Sequence, residues 1–141
     1  MKGFNLKIIV HILGLLLLFN ALFMGIATLS SCIMQDGATN GLLPSFFVSL
    51  GIGGIAMWFT RNHKKEIKKR EGYVIVTFGW LTMVVFGTLP FLFTGSISSI
   101  TDAFFETMSG YTATGATILD DIESLPKSII LWRSLTHWMG G

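Results

Sequence analysis

The sequence predicts an all-α integral membrane protein: two N-terminal transmembrane helices followed by one helix, re-entrant loop, helix unit whose last helix is truncated. Three observations carry this. Of the 141 residues, 51% are hydrophobic and only 13% are charged, with a mean hydropathy of +0.65, whereas a soluble domain carries about 25% charged residues. The charges gather in short stretches and leave three uncharged runs, residues 8–35, 37–60 and 72–101, each longer than the roughly 20 residues that cross a bilayer as a helix. Beyond them, residues 100–111 form an apolar, aromatic segment too short to cross, followed by a stretch of threonine, alanine and glycine. A net charge of +2 is too small to point to nucleic acid. The single cysteine, Cys32, excludes an intrachain disulfide and a cysteine-based metal cluster.

The three spans have expected cores at residues 8–29, 42–60 and 73–93, separated by a polar turn at 35–40 and a basic segment at 61–71. Gly14, Gly25, Gly51, Gly53 and Gly54 inside the first two spans predict close helix approach. His11 and Asn20, nine positions apart in the first span, face opposite sides and are expected to hydrogen-bond to neighbouring helices. Lys2 and Lys7 precede the first span, and Arg61, Lys64, Lys65, Lys68, Lys69 and Arg70 follow the second. The N-terminus is therefore expected to be cytoplasmic. Residues from 94 then start on the outer side, where the charges before Lys127 are all acidic: Asp102, Glu106, Asp120, Asp121 and Glu123. Two other readings stay open. The basic run could dock lipid or a partner. Lys2, Lys7, an apolar run and Leu29-Ser30-Ser31-Cys32 also resemble a lipoprotein signal, although an apolar run of about 20 residues exceeds the usual signal core.

Residues 94–99 form a small polar connector, and residues 100–111 read as a short helix with Ser99 or Thr101 as N-cap and Asp102 in its first turn. At 1.5 Å per residue this helix spans roughly 15–18 Å, half a bilayer. Irregular backbone after a buried half-helix is tolerated at membrane depth only inside protein or along an aqueous path, which describes a re-entrant pore loop. The following Thr112-Ala113-Thr114-Gly115-Ala116-Thr117 offers mainly backbone carbonyls, and such oxygens can replace the water around a cation the size of potassium. Gly115 permits dihedrals that turn successive carbonyls the same way. A plain Thr/Gly-rich external loop is the alternative.

The run from Ala103 to Thr117, with Leu125-Pro126 and then Leu131-Trp132-Arg133-Ser134-Leu135-Thr136-His137-Trp138-Met139-Gly140-Gly141, resembles the first pore repeat of the Trk/Ktr/HKT potassium transporter superfamily. The resemblance combines F-E-x-x-S-G-[FY]-T-x-T-G-A-T with W-R-S-x-x-x-W-x-G-G over about 40 residues. The additional helix pair within residues 1–60 is similar to that of TrkH-type transmembrane subunits. The resemblance implies an N-terminal two-helix membrane domain, residues 1–71, and an incomplete potassium-channel-like helix, pore-loop, helix repeat, residues 72–141. It implies potassium uptake across a bacterial inner membrane as part of a larger four-repeat transporter. The filter ligands would be mainly the carbonyls of Ala113 and Thr114, with Thr112, Gly115 and Ala116 adjoining. Family members often carry threonine where Ala113 stands, a change that a backbone ligand survives. The implied partners are the lipid bilayer, the remaining three repeats, a second copy in a homodimer and a cytosolic nucleotide-binding regulatory subunit.

Glu106, Asp102 and Arg133 are supporting residues in this reading. The two acids, four apart on one helix face, are expected to cap the pore helix, with Glu106 hydrogen-bonded behind the filter. Arg133 is expected to pair with Asp120, Asp121 or Glu123. Catalysis is not expected: His11, His63 and His137 are scattered, no H-E-x-x-H spacing occurs, and no organic cofactor or nucleic acid is implied. Residues 128–141 give roughly 21 Å of helix, and no second T-x-T-G motif occurs. The chain is therefore expected to be an N-terminal fragment that does not conduct by itself. A secondary transporter for another substrate, or a small membrane scaffold or lipoprotein without transport, are the competing functions.

Overall fold

The computed structural model describes residues 3, 5–62 and 66–141, so Lys2, His63, Lys64 and Lys65 lie outside the described residues. Among the described residues six helices follow one another: α1 (Leu6–Met34), α2 (Thr39–Phe59), α3 (Lys69–Gly87), α4 (Leu89–Phe93), α5 (Ile100–Tyr111) and α6 (Lys127–Gly140). Among the described residues there is no strand. Three helical stretches of the described residues are long and apolar enough to cross a membrane, Leu6–Met34, Thr39–Phe59 and Lys69–Phe93. The protein is therefore a multi-pass, all-helical membrane protein, as its composition requires.

α1 starts where the Asn5 side chain accepts the Ile8 amide, and ends at Gln35, which is left-handed at φ 51° and returns its N–H to Ser31. It packs along α2 through facing glycines. A Cβ on Gly14 would meet the Gly53 carbonyl oxygen at 3.0 Å, and one on Gly53 would meet that of Gly14 at the same distance, so the approach depends on both hydrogens. Gly25 meets the Phe46 ring, whereas Gly51 and Gly54 face open space. The expectation of close approach fails for these last two, which sit about 200° and 100° around the helix from Gly53.

The third span starts at Lys69, four residues before its expected core, because Glu71 caps it: Glu71 accepts the Lys68 amide at 3.1 Å and the Asn5 amide at 2.7 Å. One buried carboxylate thus ties the first turns of α1 and α3. Within that span α3 gives way to the short α4 at Thr88, while the stretch as a whole ends at Phe93 as expected. Pro90 supplies no amide and its ring crowds the carbonyl one turn back. The Gly87 carbonyl at this break accepts Trp132 Nε1 at 3.1 Å from α6.

The core lies toward the end of the bundle that carries the α1–α2 turn, where Met24, Ala27, Leu42, Phe91, Ala103, Ile129 and Trp132 pack together. Nearer the middle, Met83, Val84 and Tyr111 form a second cluster. Leu22, Ile26, Leu29, Phe47, Ile55 and Trp58 are exposed on the outside, an apolar surface suited to lipid.

Asp36, in the α1–α2 turn, had no assigned role from sequence, yet it joins three elements. It accepts Ser31 Oγ at 2.6 Å, the Ala38 amide at 3.1 Å and the Ser128 amide in the first turn of α6 at 2.8 Å. Burial works to raise its pKa, but the hydrogen bonds from Ser128, Ser31 and Ala38 outweigh this and lower it to about 2. A depressed carboxylate contributes stability that is complete above its unfolded pKa near 4 and is lost as pH falls through about 2. Asp36→Ala is expected to lower stability by about 1–2 kcal/mol at pH 7, the size of a lost helix cap. In detergent melts of both proteins the gap should close as the pH is taken from 5 to 2.

Candidate functional site

α5 forms where sequence places it. Ser99, extended at φ −84° and ψ 129°, accepts the Asp102 amide as N-cap, and the helix runs twelve residues to Tyr111. It packs against α3 and α6, with Ala103, Glu106, Thr107, Ser109, Gly110 and Tyr111 buried. Its C-terminal turn fits tightly: a Cβ on Gly110 would collide with Thr136, and one on Gly140 with the Tyr111 backbone. Tyr111 reaches Asn20, the middle residue of the 29-residue α1. The short helix therefore ends level with the centre of the first span, the depth a half-crossing segment requires.

The turn after α5 is a Schellman motif. The Ala113 amide donates to the Gly110 carbonyl at 3.0 Å and the Thr114 amide to the Ser109 carbonyl at 3.1 Å, while Thr112 donates to Met108 at 2.9 Å. Ala113 takes the left-handed position at φ 55° that glycine usually fills, and Gly115 is left-handed again at φ 77°. Sequence signals the second of these and not the first, since alanine carries no mark of positive φ; holding it there costs about 1–2 kcal/mol. Alternating handedness can turn either amides or carbonyls to one side. Here the amides of residues 112–114 are spent on α5. Among the described residues, no hydrogen bond goes to the carbonyls of Thr112, Ala113, Thr114 or Gly115. These residues are exposed, so the groups on offer are oxygens, suited to a cation rather than an anion. The Ala116 carbonyl differs. It accepts Ser109 Oγ at 2.5 Å, which turns it toward α5 and leaves it out of the row of free oxygens.

Behind this loop lies Glu106, only 1% exposed. It accepts Thr117 Oγ1 at 2.9 and 3.1 Å, the Ile118 amide at 3.2 Å and Arg133 Nε at 2.5 Å. A buried carboxylate with both oxygens satisfied and a guanidinium beside it is the condition for keeping such a charge out of water. Arg133 therefore pairs with Glu106 on α5, not with Asp120, Asp121 or Glu123, which are exposed. Asp102 is exposed in the first turn of α5 and does not join Glu106. His11 bonds Thr60 at 3.0 Å and His137 the Arg133 carbonyl at 2.8 Å. Among the described residues no group of His, Cys, Asp and Glu forms a metal-binding cluster.

A family model described as TrkH, a cation transport protein, matches residues 40–141. The chain belongs to the TrkH family. It is 42% identical over 138 residues to the Trk system potassium uptake protein TrkH of Salmonella typhimurium, and equally to that of Escherichia coli K12; each match covers 97% of this chain and 29% of the relative. Identity to the Vibrio parahaemolyticus TrkH is 39% over 134 residues, covering 94% of this chain and 28% of the relative. The crystal structure of the potassium transporter TrkH from Vibrio parahaemolyticus superimposes with a TM-score of 0.90 at 37% identity, covering 97% of this chain and 30% of that one. The chain thus spans less than a third of the length of these TrkH relatives.

Removing Glu106 leaves the Arg133 charge without its partner. Glu106→Ala is expected to destabilise by about 3 kcal/mol or more, whereas Asp102→Ala, at an exposed first-turn position, changes stability by about 0.5 kcal/mol. Thermal melts of the purified chain in detergent read both.

Proposed function

We propose that residues 72–141 supply the first helix, pore-loop, helix repeat of a four-repeat potassium uptake protein, and that residues 1–71 form a two-helix unit beside it. The carbonyls of Thr112, Ala113, Thr114 and Gly115 line that repeat's quarter of the filter, Ala113 and Thr114 foremost. The observation that carries this reading is the row of unbonded carbonyls after a half-helix that ends level with the middle of α1. Potassium sheds its water only where oxygens replace it, and carbonyls do so without the tight hold of a carboxylate. Neither bond breaking nor an organic cofactor is needed.

The basic residues Lys7, Arg61, Lys68, Lys69 and Arg70 gather toward one end of the spans and Asp36, Asp102, Asp120 and Asp121 toward the other. This supports a cytoplasmic N-terminus in a bacterial inner membrane. It also favours an acidic outer mouth that concentrates cations. A homodimer and a cytosolic nucleotide-binding regulatory subunit complete the proposal on the strength of the family.

The test grafts the 141-residue chain in place of the matching part of the Escherichia coli TrkH relative, in a strain unable to grow on low potassium. Growth and rubidium-traced uptake are expected. Gly115→Ser in the same chimera should reduce the preference for potassium over sodium by about tenfold or more, because a side chain opposes the left-handed backbone at φ 77°. Uptake with unaltered selectivity in that variant would contradict the filter.

A further inference from the structure

Asn20 is a polar residue at the centre of a transmembrane helix, fully buried among Leu17, Ala21 and Met24. An amide in such a place is unfavourable unless both its ends are bonded. Both are. Tyr111 Oη donates to Asn20 Oδ1 at 2.5 Å, and Asn20 Nδ2 donates to the Met83 carbonyl of α3 at 3.4 Å. The amide has one orientation available: the Met83 carbonyl only accepts, so it must face Nδ2, and the tyrosine hydroxyl must then donate to Oδ1. The contact joins α1 to the last residue of α5, 91 positions away.

Tyr111 is held on every other side as well. Its ring fills the notch that Gly87 leaves in α3, where a Cβ would meet it at 2.8 Å, and it meets Trp80 edge-on at 6.5 Å between ring centres. Its backbone lies against Gly140. The hydroxyl is the one polar atom of this buried side chain, and Asn20 takes it. The next residue, Thr112, begins the carbonyl row, and the amides of residues 112–114 hang from carbonyls of the same helical turn, Met108 to Gly110. A displacement of that turn is passed directly to the carbonyls.

We propose that Asn20 is a positioning residue for the filter: through Tyr111 it fixes the last turn of α5, and with it the carbonyl spacing that separates potassium from sodium. The inference rests on the filter reading above and adds that a helix outside the repeat sets the repeat's selectivity.

The test uses the same four-repeat chimera and reads the sodium concentration that halves potassium uptake, together with the KM for potassium. Asn20→Leu keeps the volume and removes both bonds; Tyr111→Phe removes only the hydroxyl and keeps the fold where the first variant does not. Each is expected to lower discrimination against sodium by about threefold to fifteenfold, the span of one interhelical hydrogen bond in a membrane. The double variant should be no worse than Asn20→Leu alone, because the hydroxyl acts only through the bond that Asn20→Leu already removes. A purely structural bond would reduce the amount of protein in the membrane and leave discrimination unchanged. Discrimination unchanged in Tyr111→Phe while Gly115→Ser alters it overturns the inference and leaves the filter standing. Discrimination unchanged in all variants, or a chimera that moves no potassium, overturns the filter reading and the inference together.

Discussion

A carboxylate with almost no contact with solvent, Glu106, holds the short helix, the loop that follows it and the next long helix in one arrangement. Without Arg133 the charge would be intolerable in an apolar surround, and without Thr117 and Ile118 its second oxygen would be left bare. The requirement to satisfy this one group folds the chain back along α5, so the segment between Thr112 and Gly115 is pinned at both ends. One end hangs from the Schellman turn, the other from Glu106. The proposed filter is the length of backbone between those anchors; the amides of residues 112–114 are committed to α5, and among the described residues nothing bonds the oxygens of residues 112–115.

The rest of the bundle supports that arrangement at three depths. Asp36 and Trp132 secure α6 to the α1–α2 turn and to α3 toward one end, Asn20 bridges α1 to α5 and α3 in the middle, and Glu71 ties α1 to α3 at the opposite end. Asn20, Trp132 and Glu71 are buried and Asp36 is half-buried in its turn; the bonds of each specify register and not merely contact. The apolar packing is comparatively undemanding, since lipid and protein interior are alike to a leucine. Glycines do the remaining work by letting backbones touch, at Gly14 and Gly53 between the first two helices and at Gly110 and Gly140 around Tyr111.

Much of this was legible in the residues. The three spans follow from charge-free length, the bounds of α5 from Ser99, Asp102 and the aromatic run, and the left-handed Gly115 from glycine itself. Other features were written less plainly. Pro90 marks the place where α3 gives way to α4, but proline in a membrane helix need not interrupt it, so the residues alone do not announce the change at Thr88. The partner of Arg133 was misplaced because three acids lie nearer in sequence than Glu106, and sequence distance is a poor guide across a loop that folds back. Positive φ at Ala113 carries no signal in an alanine; the six-to-one and five-to-two bonds that impose it appear only once α5 has an end. Asp36, a lone acid in a polar turn, looks like any loop residue until Ser128, 92 positions away, is brought to it.

The central claim is that backbone oxygens from Thr112 to Gly115, and no carboxylate, hold the ion. Anomalous diffraction from rubidium in crystals of the four-repeat chimera tests it most directly. The account predicts a peak on the pore axis surrounded by carbonyls, those of Ala113 and Thr114 among them, that vanishes when rubidium is exchanged for sodium. Density confined to Asp120, Asp121 and Glu123, with none beside the carbonyl row, would contradict it.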